Sequence, residues 1–241
     1  MKLVKVKNYD QMSEQACDIV LDRINNLKKP VLGLATGSTP EGLYKQLINK
    51  YTNKETSFNN VTTFNLDEYI GLSHSHPNSY YTYMNEHLFN YIDIDSKNVN
   101  IPNGNVSDIL KECSDYEKVI SEHGSIDVQL LGLGSNGHIG FNEPGTPFSS
   151  RTHIVQLSES TRQANARFFE SVDEVPTKAI TMGIRTIMES NEIVVLVSGL
   201  KKSMALANLI NGEVSEEFPA SILQKHKNVT IIADEPALSK L

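Results

Sequence analysis

The sequence predicts an α/β protein: an open, doubly wound, mostly parallel sheet with helices on both faces, in a single domain spanning residues 1–241. Three observations predict it. Short apolar, β-branched runs of strand length recur along the chain, and stretches of helical length fall between them. Several runs are apolar at consecutive positions, the pattern of a strand buried on both faces of a parallel sheet. No internal repeat, low-complexity tract or Gly/Ser/Pro-rich linker interrupts the alternation, so no domain boundary is expected.

In chain order, the first amphipathic stretch is DQMSEQACDIVLDRINNL at 10–27, followed by the apolar run PVLGLA at 30–35. Pro40 opens a second helical stretch at 40–51, as proline does in a first turn. The run VTTFNL at 61–66 then precedes helical stretches at 78–89 and 108–123. IDVQLLGLG at 126–134 is the third strand, a helix is expected over 160–169, and EIVVLVSG at 192–199 is the fourth strand. A helix over 201–211 and the run NVTIIAD at 228–234 complete the pattern. Too few strands are present for an eight-fold barrel.

Composition narrows the function. The 22 Lys and Arg against 29 Asp and Glu give a formal charge of −7, which argues against nucleic acid or an anionic membrane as the main partner. An anionic small molecule would then need locally clustered cations. Cys17 and Cys113 are far apart and lack metal-ligand spacing, so neither a disulfide framework nor a structural zinc site is expected. The start MKLVKVKNYDQ has no signal-peptide core, and no segment approaches the roughly 20 apolar residues of a membrane span. A soluble, cytoplasmic protein is expected, with self-association left open.

In an open α/β sheet, ligands bind at the carboxyl ends of the strands, so the loops after the apolar runs should carry the chemistry. After the first run come Thr36, Gly37, Ser38 and Thr39, leading into a helix start. A glycine that admits close backbone approach, three hydroxyls and unpaired helix amides suit a phosphate. An ordinary helix cap uses the same residues. The GxxxxGK[ST] spacing of a nucleotide loop is missing.

After the second run stand Asp67, Glu68 and Tyr69. A partly desolvated carboxylate here could serve as a base next to a carbonyl, or the acidic pair could be a solvated turn or helix cap. After the third run, Gly132, Gly134, Gly137, Gly140 and Gly145 bracket Asn136, His138, Asn142 and Glu143. His138 can shuttle a proton near neutral pH, with Glu143 and Asn136 able to hold its ring or share its proton. Gly132, Gly134 and Gly137 spell GxGxxG, but no acidic residue stands some 20 residues on to bind a ribose, which sets a dinucleotide aside. Arg162, Arg167, Lys201 and Lys202 are the dispersed cations that could meet a phosphate.

Taken together, TGSTP (36–40), FNLDEY (64–69), HPNSYY (76–81), GLGSNGHIGFNEPG (132–145) and SRTHIVQLSESTRQANARFF (150–169) resemble the glucosamine-6-phosphate deaminase family. The resemblance runs nearly end to end. It implies a doubly wound fold, a small phosphorylated amino sugar as substrate, and conversion of glucosamine 6-phosphate to fructose 6-phosphate and ammonia without metal or other cofactor. It also implies a phosphate grip by Thr36, Gly37, Ser38 and Thr39 with Arg167 and Lys202, and chemistry by Asp67, Asn136, His138 and Glu143. Many members carry Asp where this chain has Asn136, and an amide cannot stabilise imidazolium with a full charge. Basic positions that bind an allosteric amino-sugar phosphate in longer members appear here as His153 and Val155, and those members continue beyond the point where this sequence stops. Non-cooperative kinetics are the expectation. Rival readings are a galactosamine-6-phosphate deaminase, which needs the same acid–base set, and a 6-phosphogluconolactonase, against which FNLDEY and GFNEP speak. A sugar-phosphate-sensing domain is a third, disfavoured because it has no use for Asp67 or His138 and no DNA-binding helix pattern precedes residue 30.

Overall fold

The computed structural model describes every residue except Arg167 and Phe168 and the side chains of Ser160 and Ala164. The chain opens with β1 (Lys2–Val6), α1 (Tyr9–Asn26), β2 (Val31–Leu34), α2 (Glu41–Thr52), β3 (Thr62–Asn65), β4 (Asp67–Tyr69) and α3 (Tyr80–His87). It continues through β5 (Val99–Asn100), α4 (Ile109–Glu122), β6 (Val128–Gly132), β7 (His153–Gln156) and α5 (Glu159–Asn165). It closes with β8 (Lys178–Thr181), α6 (Ile184–Met188), β9 (Glu192–Val197), α7 (Ser203–Asn211) and β10 (Val229–Asp234).

The predicted parallel sheet is present, with all five apolar runs in it. Its order is β1-β10-β9-β6-β2-β3-β5, and every pairing is parallel. Alternation along the strands divides the core. Leu32, Leu34, Val128, Leu130, Val194, Leu196 and Ile232 pack beneath α1, α2 and α3, while Val31, Leu131, Ile193, Val195 and Ile231 pack beneath α4, α6 and α7. Both faces are thus covered, and the central strands need side chains apolar in both directions.

A second, three-stranded antiparallel sheet, β4-β8-β7, was not anticipated. The DEY segment, expected as a loop, is its strand β4, with Asp67 opposite Thr181. Leu66 is the point of transfer: its amide bonds the Leu34 carbonyl of the large sheet at 3.1 Å, and its carbonyl accepts from the Met182 amide at 2.6 Å. Of the helix expected over 160–169, α5 supplies Glu159–Asn165, while residues 167 and 168 lie outside the described residues. Among the described residues no helix is long and apolar enough to cross a membrane.

Strand order reverses between β2 and β6. From β2 the chain builds outward through β3 to β5, and it then returns to the other side of β2 with β6. Such a switch point leaves a crevice at the carboxyl ends of the two strands, flanked by the loops that leave them in opposite directions.

Candidate active site

The loop leaving β2 carries Thr36, Gly37, Ser38 and Thr39 to the start of α2. Gly37 has φ +92°, a left-handed conformation that a side chain would strain. The Thr36 hydroxyl lies in hydrogen-bond reach of Tyr80. The start of a 12-residue helix whose N-cap makes no side-chain hydrogen bond favours an anion here.

Asp67 enters from the end of β3. It is 7% exposed, and burial, reinforced by the neighbouring Glu68 carboxylate, pushes its carboxyl up to about 8. The two acidic residues have separate jobs. Glu68 is wholly buried and accepts the amides of Tyr69 at 2.8 Å and of Tyr80 and Tyr81 at 3.0 Å each, at the start of α3. That is a helix-capping carboxylate, while Asp67 keeps its oxygens for the crevice. A Cβ placed on Gly140 would stand 3.5 Å from Asp67 Oδ2, which puts this carboxylate directly against the glycine-rich loop.

That loop leaves β6 and folds back on itself. The Gly134 amide bonds the His138 carbonyl at 2.9 Å, and the Gly137 amide bonds the Gly134 carbonyl at 3.0 Å. The His138 ring rests on Gly134 so closely that a Cβ there would come within 2.4 Å of it, so only glycine leaves room for the imidazole. Asn136 reaches His138 differently from the expected side-chain-to-ring contact. Its Oδ1 accepts the His138 backbone amide at 3.3 Å, and its Nδ2 donates to Glu143 Oε2 at 2.7 Å. The imidazole Nδ1 stands 3.9 Å from Glu143 Oε2, too far for a hydrogen bond, and has no such partner among the described residues. Burial lowers the pKa of His138, Glu143 pulls it back up, and the Lys202 charge lowers it again. The ring is therefore neutral at pH 7 and free to accept a proton.

Glu143 is held from a direction the sequence did not indicate. Its Oε1 accepts the Thr161 hydroxyl at 2.5 Å and the Ser158 hydroxyl at 3.3 Å, both from the start of α5. On the same helix, Asn165 Nδ2 donates to the Tyr69 hydroxyl at 2.9 Å. Ordinary capping residues gave no sign of this role, although the pattern Ser158-x-x-Thr161 does mark the helix start.

The cations sort themselves. Lys202 is half-buried and near enough for its charge to act on His138, while Lys201 points to solvent. Asp234, another residue that sequence reading passed over, fixes the turn that carries Lys202. It accepts the Ser198 hydroxyl at 2.5 Å and the Gly199 amide at 3.0 Å, and the Lys202 amide bonds Gly199 O at 3.0 Å. Arg162 spends its guanidinium on the carbonyls of Val172 (2.8 Å) and Val175 (3.2 Å) and on Glu159 (3.4 Å), so it serves structure. Arg167, the other expected phosphate ligand, lies outside the described residues.

Around one crevice, then, stand an amide-rich loop suited to a phosphate, a buried carboxylate and a neutral histidine beside a glutamate. This set can move protons between neighbouring carbons and oxygens of a phosphorylated sugar. Known proteins carry the same arrangement of chain. A glucosamine-6-phosphate deaminase of Oceanobacillus iheyensis is 58% identical over 241 residues, covering 100% of this chain and 96% of the relative. Glucosamine-6-phosphate deaminase 1 of Bacillus subtilis is 52% identical over 239 residues, covering 99% of each. Among solved structures, a monomeric glucosamine-6-phosphate deaminase of the NagB superfamily superposes with a TM-score of 0.98 at 51% identity over 100% of both chains. A 6-phosphogluconolactonase from Trypanosoma brucei reaches a TM-score of 0.81 at 20% identity, over 100% of this chain and 98% of that one, a likeness of fold alone. The family of glucosamine-6-phosphate isomerases and 6-phosphogluconolactonases matches residues 7–232, and the chain belongs to it.

Proposed function

We propose that this protein isomerises and deaminates glucosamine 6-phosphate, giving fructose 6-phosphate and ammonia. The observation that carries the reading is the nearness of two distinct acid–base groups, Asp67 at the start of β4 and His138 in the loop after β6, to one switch-point crevice beside an anion loop. Relatives named for this activity at 50–58% identity support it.

The amino sugar enters as a ring, with its phosphate on the 36–39 loop and Lys202. Neutral His138 takes the proton of the anomeric hydroxyl and returns one to the ring oxygen, which opens the sugar to an aldehyde. Glu143 stabilises the transient imidazolium, and Asn136 holds Glu143 in place. Asp67, once ionised, removes the C2 proton. The C2–H electrons form the C1–C2 double bond as the C1 oxygen takes up a proton, giving an enolamine, and the same carboxyl then delivers the C2 proton to C1 while the nitrogen gives up one proton. The resulting C2 imine takes up one water and releases ammonia, leaving the ketone. Oxidation is transferred only between adjacent carbons. The anchored phosphate keeps C1 and C2 at Asp67 while the chain is open.

The test is release of ammonia and fructose 6-phosphate from glucosamine 6-phosphate by wild type and Asp67→Asn, with galactosamine 6-phosphate and 6-phosphogluconolactone assayed alongside. Turnover of the gluco sugar by wild type alone is expected. Preferential turnover of the galacto sugar or of the lactone would replace the reading with that activity.

A further inference from the structure

Three different helices each send a tyrosine hydroxyl into the back of the 36–39 loop. Tyr9, the first residue of α1, donates to the Ser38 carbonyl at 2.9 Å and accepts the Gly42 amide at 2.8 Å. Tyr44 of α2 donates to the Ala35 carbonyl at 2.5 Å, and Tyr83 of α3 donates to the Gly37 carbonyl at 2.7 Å. All three rings belong to, or pack against, the core cluster under these helices.

The geometry of the peptide unit gives these bonds their meaning. No cis peptide occurs among the described residues, and in a trans peptide the C=O and the following N–H point in opposite directions. The three bonded carbonyls share their planes with the amides of Thr36, Ser38 and Thr39. Each hydroxyl therefore draws a partly negative oxygen back toward the helical layer and turns the attached N–H to the other side of the loop. Successive N–H groups on one side form a concavity that attracts anions. Satisfying a buried tyrosine would require any acceptor; three tyrosines from three helices converging on one short loop is a more specific arrangement.

We propose that Tyr9, Tyr44 and Tyr83 are positioning residues that hold the 36–39 amides in their anion-binding orientation before substrate arrives. The proposal rests on the reading of this loop as the phosphate site. Preorganised donors avoid the ordering cost that a free loop would incur on binding. The phosphate is held alike in ground and transition states, so loosening its donors should raise KM and leave kcat nearly unchanged.

The experiment compares Tyr83→Phe, Tyr9→Phe and their double variant with wild type and with two references. Thr36→Val perturbs the loop itself. Tyr116→Phe removes a buried hydroxyl that bonds the Asn65 carbonyl at 2.7 Å, away from the loop. Readouts are KM and kcat for glucosamine 6-phosphate, the competitive inhibition constant of inorganic phosphate, and Tm. Each loop tyrosine variant should raise KM and the phosphate inhibition constant about 2- to 10-fold with kcat within about 2-fold, and the double variant should exceed either single one. Tyr116→Phe should lower Tm without weakening phosphate inhibition. If Thr36→Val weakens phosphate inhibition but the tyrosine variants do not, the loop remains the phosphate site and the positioning role is overturned. An equal weakening in Tyr116→Phe also overturns it, by exposing general loosening. If Thr36→Val has no effect, the phosphate-site reading fails and takes the proposal with it. Tyr44→Phe, which removes a fully buried hydroxyl and leaves the Ala35 carbonyl without that partner, should act in the same direction as Tyr83→Phe.

Discussion

Asp67 and His138 face the same crevice from opposite sides of β2, and one physical cause moves them in opposite directions. Burial disfavours charge in both. It raises the carboxyl of Asp67 to about 8 and lowers the imidazole of His138 below its usual value. The Asp67 carboxyl is thus largely protonated in the resting protein at pH 7, and the histidine is neutral. What distinguishes them is the neighbourhood: Glu68 reinforces the shift of Asp67, whereas Glu143 opposes that of His138. The lesson is that two reagents with different tasks can be prepared by the same desolvation.

The largest effect that tests this contrast is expected from Asp67→Asn. Turnover should fall by about 10²–10⁴-fold or more, since a positioned base supplies that much. The substitution should also stabilise the fold. Between about pH 4 and 8 folded Asp67 keeps a proton that the unfolded chain has released, so stability falls as pH rises through that window and stays at the lower level above it. Asp67→Asn removes this slope, so its stability advantage over wild type is small at pH 4, grows through the window and is complete above pH 8. Thermal melts across pH check it; no pH dependence in the difference would refute the raised carboxyl. In wild type, kcat/KM should climb with pH toward the ionisation of Asp67.

His138→Gln should cost less, about 10–10³-fold, because sugars open slowly without help while C2 is not deprotonated unaided. Assay at very low enzyme concentration, where spontaneous opening keeps pace, should narrow the deficit. Gly134→Ala comes next. Its backbone has an ordinary φ, so the methyl acts only by displacing the His138 ring, and a shift of that kind costs about 10–10²-fold in kcat with little loss of folding. The smallest effect belongs to Asn136→Asp. A new carboxylate beside His138 should raise the second, more acidic break of kcat/KM by about half a unit to one unit and leave the limb set by Asp67 in place, read from a pH–rate profile.

How far the sequence carried this picture depended on whether a signal was local. Runs such as EIVVLVSG declare a buried strand through their own composition, and β2, β3, β6, β9 and β10 were legible for that reason. β1 was not, since KLVKV alternates lysines with aliphatics at the sheet edge and reads as a polar start. The small sheet was hidden because DEY is charged and KAIT is short, and only pairing with each other's neighbours makes them strands. Glycine crowding marked the His138 loop, yet nothing local separated Asp67 from Glu68. Their division of labour appears only when Glu68 is seen capping α3. The tyrosines were illegible for a similar reason: Tyr9, Tyr44 and Tyr83 sit at helical spacing like any core aromatic, and where their hydroxyls end is a matter of tertiary geometry.

The seam between β2 and β6 has a consequence for refolding. Its ladder is short, Leu32 with Val128 and Gly33 with Gln129, supported by the Val31 amide on Asp127 Oδ2 at 2.8 Å, between residues 96 apart in sequence. Closing so long a segment is entropically slow compared with forming the helices. The anion loop and the histidine loop lie on either side of that seam. Regained activity would therefore clock the docking of the two halves of the sheet, lagging behind the recovery of helical circular dichroism.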